Sequence, residues 1–192
     1  MLVLGIAMSG KQDILSMSIV RTESTSAWSG VLDDLKSRGV KDILFLCSDN
    51  LKGLDKAIVA NFPSSVHQIC IVHQIRNSLK FVSYKDRKAI IKDIKAIYHC
   101  SNVEMAKETL AIFKQNWNEK YPASVKSWEA NWDKLTAFLA YPKEIRKLIY
   151  TTNIIESFNA SLRKYTKNKK LFPTDQAAMK SIYLAIMQIS RK

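Results

Sequence analysis

A chain of 192 residues, 47% hydrophobic and 24% charged, is long enough for one domain with a sizeable core and has the balance of a soluble globular protein. Thirty Lys and Arg against 17 Asp and Glu leave a formal charge of +13, which points to a polyanionic partner. No segment approaches the ~18 apolar residues of a membrane-spanning helix, so nucleic acid fits the charge better than a membrane does.

The apolar stretch Leu2 to Met8 reads as a strand, Ser9 to Gln12 as a turn and Ile14 to Arg21 as a second strand, together a hairpin. The short N-terminal stretch has no basic leader and no cleavage site, so it reads as core and not as a signal peptide. Trp28, Val31, Leu32 and Leu35 recur at helical spacing, with Ser and Thr ahead of them and Gly39 just past Arg38 as a stop signal. Ile43 to Cys47 is a continuous apolar run of the kind buried on both faces of a sheet, and it ends at Ser48-Asp49. A helix is expected from about Leu54 to Asn61, closed by Phe62-Pro63, and then a strand from His67 to Val72. Hairpin, helix, strand, helix, strand predicts a mixed α/β sheet.

After His73 nearly everything reads as helix. Apolar positions recur at three and four in Ile90, Ile91, Ile94 and Ile97, and again in Ala106, Leu110, Phe113 and Trp117. Breaks fall at Tyr121-Pro122, Tyr141-Pro142 and Phe172-Pro173. Trp117, Trp128 and Trp132 cluster in one stretch, which reads as a compact helical insertion with its own small core. The expected division is 1–82 for the first part of the core, 83–142 for the insertion and 143–192 for C-terminal helices returning to the core.

Asp49 lies at the end of a buried strand, where α/β folds place their ligands. A carboxylate there can hold a divalent cation or cap the next helix. Glu156 sits in Tyr150-Thr151-Thr152-Asn153-Ile154-Ile155-Glu156-Ser157-Phe158-Asn159. A helix starting near Asn153 would put Glu156, Asn159 or Ala160, Arg163 and Lys167 on one face, which suits a metal beside a phosphodiester. The same spacing fits a capping box, with Asn153 as N-cap and Glu156 three residues later. Arg163, Lys164, Lys167, Lys169 and Lys170 form a run of five cations without an acid, and residues 143–192 hold 11 basic and 3 acidic residues, a surplus of eight. That concentration favours phosphate contact over a merely solvated face.

Three cysteines, Cys47, Cys70 and Cys100, make no disulfide framework, and a reducing cytoplasm is the natural compartment. Cys70-Ile71-Val72-His73 is a CxxH with His67 ahead of it. Zinc wants four ligands, and the adjacent His99-Cys100 is a poor second pair, so a structural role at the end of a strand is the expected use.

The segments RGVKDILFLCSD, SDNLKGL, FPSSVHQICIVHQIRNSLKFV and NWDKLTAFLAYPKEIRKLIYTTNIIESFNASLRKYTK resemble the Mutator-like transposases of bacterial insertion sequences, and the resemblance covers essentially the whole chain. Its most specific pieces are Cys70 and His73 followed by Arg76-Asn77, and Thr151-Thr152-Asn153 leading to Glu156. The resemblance implies an RNase H-like mixed sheet with a large all-helical insertion between the second and third acids of a DDE site. It implies Asp49 as the second acid and Glu156 as the third, both catalytic and both metal ligands. Cys70 and His73 are then a family signature, and Arg76, Asn153, Asn159, Arg163, Lys164 and Lys167 are candidate DNA contacts. Magnesium, or manganese, is the implied cofactor, because carboxylate oxygens suit hard cations. Two such ions about 3.5–4 Å apart can activate the attacking oxygen and stabilise the leaving one. The implied partners are DNA, as transposon ends and target, and further copies of the chain.

In the family the first Asp precedes the segment that here begins at Met1, and Asp13 lies beyond the hairpin turn. The chain therefore reads as a fragment that also lacks the N-terminal DNA-binding region and is inactive alone. The alternatives are a nucleic-acid-binding module without catalysis and an RNase H-like nuclease without strand transfer.

Overall fold

In the computed structural model the N-terminal hairpin forms as its alternation predicts. β1 (Leu2–Ile6) pairs antiparallel with β2 (Gln12–Met17), with an irregularity between Val3 and Leu4 and Gly10 at φ 81° in the turn. The structure describes residues 1–20, 22–151, 153–167 and 171–190; Arg21, where the second strand was expected to end, lies outside them. The chain divides into two compact units. One comprises Met1–Lys41, Lys52–Pro63 and Asn153–Lys192, the other Asp42–Leu51 and Ser64–Thr152.

In the first unit, α1 (Thr25–Ser37) starts where Ser24 accepts a hydrogen bond from the Ala27 amide. It ends at Arg38, followed by Gly39 at φ 97°. Its buried stripe, Trp28, Val31, Leu32 and Leu35, is the one the spacing predicts. α1 packs on α2 (Leu54–Asn61), whose Leu54, Ala57 and Ile58 are buried. Arg38 ties α1 back to the hairpin by donating to the Leu15 carbonyl. α9 (Asn153–Thr166) and α10 (Asp175–Ser190) pack on each other.

The second unit is built on β3 (Phe45–Ser48) and β4 (Val66–Ile69), paired in parallel with Ser48 opposite Ile69. Around them lie α3 (Ile71–Ser78), α4 (Tyr84–Tyr98), α5 (Val103–Trp117), α6 (Pro122–Ala130), α7 (Trp132–Thr136), a 3-10 turn at Ala137–Ala140, and α8 (Lys143–Tyr150). One core joins Ile69 and Ile71 to Ile90, Ile94, Ile97, Phe113, Trp128, Leu135 and Phe138. The helical stretch thus shares its core with the two strands and does not enclose one of its own. At about 1.5–3 kcal/mol for each large apolar side chain removed from water, this cluster is the main support of the unit.

Two polar residues organise that core. Gln68 is fully buried; its amide donates to the Ile69 and Leu135 carbonyls at 2.8 and 3.2 Å, and its carbonyl oxygen accepts from the Phe138 amide at 3.0 Å. Arg146 donates to the carbonyls of Tyr141, Cys100, Ser101 and Leu139, clamping α8 to the α4–α5 turn. One of the cations counted toward phosphate binding is therefore spent inside the fold.

Three expectations need correction. The strands do not join one mixed sheet: among the described residues they form two separate two-stranded sheets. The run from Ile43 is also less buried than expected. Ile43 donates its amide to Asp42 Oδ1 and accepts at its carbonyl from Ser65 Oγ, so side chains take its backbone groups and the strand starts at Phe45, with Leu44 exposed. The strand expected over His67–Val72 stops at Ile69, because Ile71, Gln74 and Ser78 bury one face of a helix instead. A mixed α/β chain, mostly helical, is what the elements show.

Two substitutions test this packing. Gly53 holds φ 80°, and a Cβ there would stand 2.2 Å from Thr25 Oγ1 and 3.0 Å from the Thr25 amide. Gly53→Ala is expected to destabilise by about 1–2 kcal/mol from the backbone alone, and more from the clash. Urea unfolding should show a lower midpoint, partly recovered by adding Thr25→Ala. Gln68→Leu removes the side-chain partner of the Phe138 amide and the Leu135 carbonyl in the core and should cost on the order of 2–4 kcal/mol in the same assay; an unchanged midpoint would refute the bridging role.

Candidate functional site

Asp49 follows the last residue of β3 and lies in a bend, with the Leu51 amide donating back to its carbonyl at 2.7 Å. The strand end is held from both sides. Cys70 donates its amide to the Ser48 carbonyl at 2.8 Å, and Ser48 Oγ lies 2.9 Å from His67 Nε2. Ser48 also donates its only hydroxyl proton to the Asp49 carbonyl at 2.7 Å, so His67 Nε2–H is the donor toward Ser48.

Parallel pairing places Asp49 beside the start of α3, where Cys70 is the N-cap. His73 and Arg76 follow at intervals of three, which on a helix is one face. His73 Nδ1 lies 2.7 Å from Asp49 Oδ1, and the ligand atoms of Asp49, Cys70 and His73 all lie within 4.8 Å of one another. The Asp49 side chain is 46% exposed and that of His73 25%, whereas Cys70 is fully buried. Arg76 places one guanidinium nitrogen 3.3 Å from His73 Nε2. The CxxH begins where β4 ends and runs into α3, on the side that meets the candidate acid.

The donor set allows a fit test for a hard divalent cation. A carboxylate engaged through one oxygen keeps the lone pairs of the other, and the half-exposed Asp49 offers such an oxygen. The Cys70 thiol and the His73 imidazole do not suit magnesium. Of the three, only the Asp49 carboxylate has the oxygen donor that a hard cation prefers. Cys47, on β3, is inert in this chemistry: burial pushes its thiol up to about 12, with the Cys70 sulfur adding to the shift, and it donates to the Ile149 carbonyl. None of the three cysteines is in a disulfide.

In the other unit Glu156 is half-buried in the first turn of α9. The helix starts at Asn153 itself, so Asn153 lies in the first turn and Glu156 falls one place past the capping-box position. Asn159 is half-buried, and Arg163, Lys164 and Lys167 are exposed, with Glu156, Asn159, Arg163 and Lys167 three or four apart as the helix period requires. Thr152, Lys169 and Lys170 lie outside the described residues. Among the described residues no helix is long and apolar enough to cross a membrane.

Sequence reasoning missed the contact between His73 and Asp49, since the two are far apart in the chain and meet only through β3–β4 pairing. A signal was available in Cys70, His73 and Arg76, whose spacing marks a helical face.

The model of the family described as "Transposase, Mutator family" matches residues 1–192. A probable transposase for insertion sequence element ISRM3-like of Sinorhizobium fredii is 44% identical over 184 residues, covering 95% of this chain and 46% of the relative. The transposase for insertion sequence element ISRM3 of Rhizobium meliloti is 43% identical over the same shares. A probable transposase of Corynebacterium diphtheriae is 42% identical over 98% of this chain and 55% of its own length. The chain spans about half the length of the curated relatives it matches. With the family model matching from Met1 to Lys192, the chain belongs to the Mutator family of transposases.

Proposed function

We propose that the chain is the greater part of the catalytic core of a DDE transposase, in which Asp49 and Glu156 are two of the three metal-holding acids. The observation that carries this reading is Asp49 itself: a half-exposed carboxylate at the end of β3, with its Oδ1 2.7 Å from His73 Nδ1. Family membership supports the assignment, as does the run of exposed cations that follows Glu156 on α9. The fold is RNase H-like in this reading, and residues 83–142 are the insertion between the second and third acids.

Magnesium or manganese, when bound, would polarise the scissile phosphodiester and activate the attacking oxygen. The chain's own residues do the rest. β3 and the Ser48–His67 contact fix where the Asp49 carboxylate stands. Arg163, Lys164 and Lys167, with Arg76, Asn153 and Asn159, meet the phosphate backbone of transposon end or target DNA. Water attack on the phosphodiester frees a 3′-hydroxyl; that hydroxyl then attacks a target phosphodiester, whose own 3′-hydroxyl leaves. Copies of the chain act together on paired ends, and the setting is the bacterial cytoplasm.

The set of three acids is the point on which activity turns. In this reading residues 1–192 supply two, Asp49 and Glu156, and the family resemblance implies a first Asp on a preceding strand. The 192-residue chain is therefore expected neither to cut nor to join DNA in magnesium or manganese, whereas a longer chain carrying the preceding strand does both. In that longer chain Asp49→Ala and Glu156→Ala should each lower cleavage by on the order of a thousandfold or more. Turnover by the short chain that Asp49→Ala abolishes would overturn the three-acid reading. Cutting without joining of pre-cleaved ends would indicate a nuclease, and DNA binding indifferent to metal a pure binding module.

DNA binding by the 192-residue chain should be sequence-tolerant and strongly dependent on salt. Arg163→Ala or Lys164→Ala is expected to flatten the slope of log affinity against log salt by about one unit each, the release of one phosphate contact. A plot that is flat for the unaltered chain would remove phosphate contact from the proposal.

A further inference from the structure

The contacts of His73 with Arg76 and Asp49 point to one tautomer of its ring. Arg76 has only donors, so the His73 Nε2 that stands 3.3 Å from its guanidinium must present a lone pair. The proton is then on Nδ1, 2.7 Å from Asp49 Oδ1, and is donated to the carboxylate. We propose that Arg76, His73 and Asp49 form a directed relay in which His73, held as the Nδ1–H tautomer, is a positioning residue for the Asp49 carboxylate. This rests on the reading of Asp49 as a metal-holding acid and assigns a role to the His of the CxxH.

The relay follows from the fold. Pairing of Ser48 with Ile69 puts Asp49 at the first turn of α3, and the interval of three brings His73 and then Arg76 along the same face. One hydrogen bond to Oδ1 restricts the rotamer of a side chain that is otherwise half exposed, and leaves the second oxygen as the atom that would hold a cation. Outer partners of this kind change metal affinity by about 10–100-fold.

The nearest competing use of these residues is a zinc-like site made of Asp49, Cys70 and His73, whose ligand atoms lie within 4.8 Å of one another. Such an ion, if it took His73 through the nitrogen that faces Asp49, would need the Nδ1 lone pair. It would also leave Nε2 protonated and facing the guanidinium of Arg76, two donors toward each other. The Arg76 contact therefore favours the proton over the metal.

Two measurements on the 192-residue chain test the proposal. The first is long-range proton–nitrogen NMR of the chain labelled with 15N-histidine, in mildly alkaline buffer. With only His67, His73 and His99 present, His67→Asn and His99→Asn assign the signals. His73 is expected with a protonated Nδ1 and an unprotonated Nε2, and Arg76→Met should shift it toward the opposite tautomer. An Nε2–H tautomer in the unaltered chain overturns the relay. So does stoichiometric zinc that displaces the Nδ1 proton in the unaltered chain but not in Cys70→Ser.

The second measurement is manganese binding followed by electron paramagnetic resonance. His73→Ala should weaken binding about 10–100-fold. His73→Asn, whose amide N–H can stand where Nδ1–H stood, should recover most of it, with thermal melting confirming that both variants fold. Equal loss in both variants, or no loss in either, overturns the positioning role. If Asp49→Ala leaves manganese binding unchanged, the metal assignment of Asp49 fails, while the tautomer measurement still reports on the relay.

Discussion

Four residue pairs of parallel strand carry the weight of the candidate site. β3 and β4 meet from Phe45 opposite Val66 to Ser48 opposite Ile69, and that register alone puts Asp49 next to the first turn of α3. A slip of one residue would turn Asp49 to the other face and separate it from His73. The register is secured at both ends: by the amide of Cys70 on the Ser48 carbonyl, and by the amide of Val66 on the Leu44 carbonyl. Below it, Gln68 satisfies three backbone groups of neighbouring segments from inside the core. A buried amide so placed tolerates one arrangement of strand and helices, whereas an apolar residue would tolerate several.

The local parts of this architecture were legible in the residues. The stripe Trp28, Val31, Leu32 and Leu35 marked α1, Leu54 to Asn61 marked α2 to the residue, and Ile90, Ile94 and Ile97 marked the buried face of α4. Each depends only on a helical period within a dozen residues. Pairing was less legible. Hydrophobic runs at Ile43 to Cys47 and His67 to Val72 looked alike as strands. The end of one is a bend carrying Asp49, while the second half of the other is a helix, and the difference lies in tertiary burial of Ile71 and Gln74 that periodicity in a short window does not reveal.

The same limit explains what was and was not visible at the site. Asp49 stood out because it terminates an apolar run, Glu156 because of its spacing from Asn159 and Arg163, and both because of resemblance to a family. The CxxH was visible only as a pattern, since its meaning depends on a contact across 24 residues of chain. Arg146 shows the converse. It counted as one more cation in a basic segment, yet its guanidinium lies against four carbonyls, and no charge count distinguishes a cation of that kind from one on the surface.

The division of the chain has a consequence for how the molecule is made. The polypeptide passes from one unit to the other after Lys41, Leu51, Pro63 and Thr152, so neither unit is a continuous stretch. On a ribosome, the unit holding β3 and β4 has all its parts only once α8 has emerged, and the unit holding the hairpin must wait for α9 and α10. Until then β1, β2, α1 and α2 exist without their last helices, and their apolar surfaces are open to chaperones and to wrong partners. A nascent chain stalled anywhere in the helical stretch would hold Asp49 but not Glu156, so synthesis completes the two acids only after the second unit is whole.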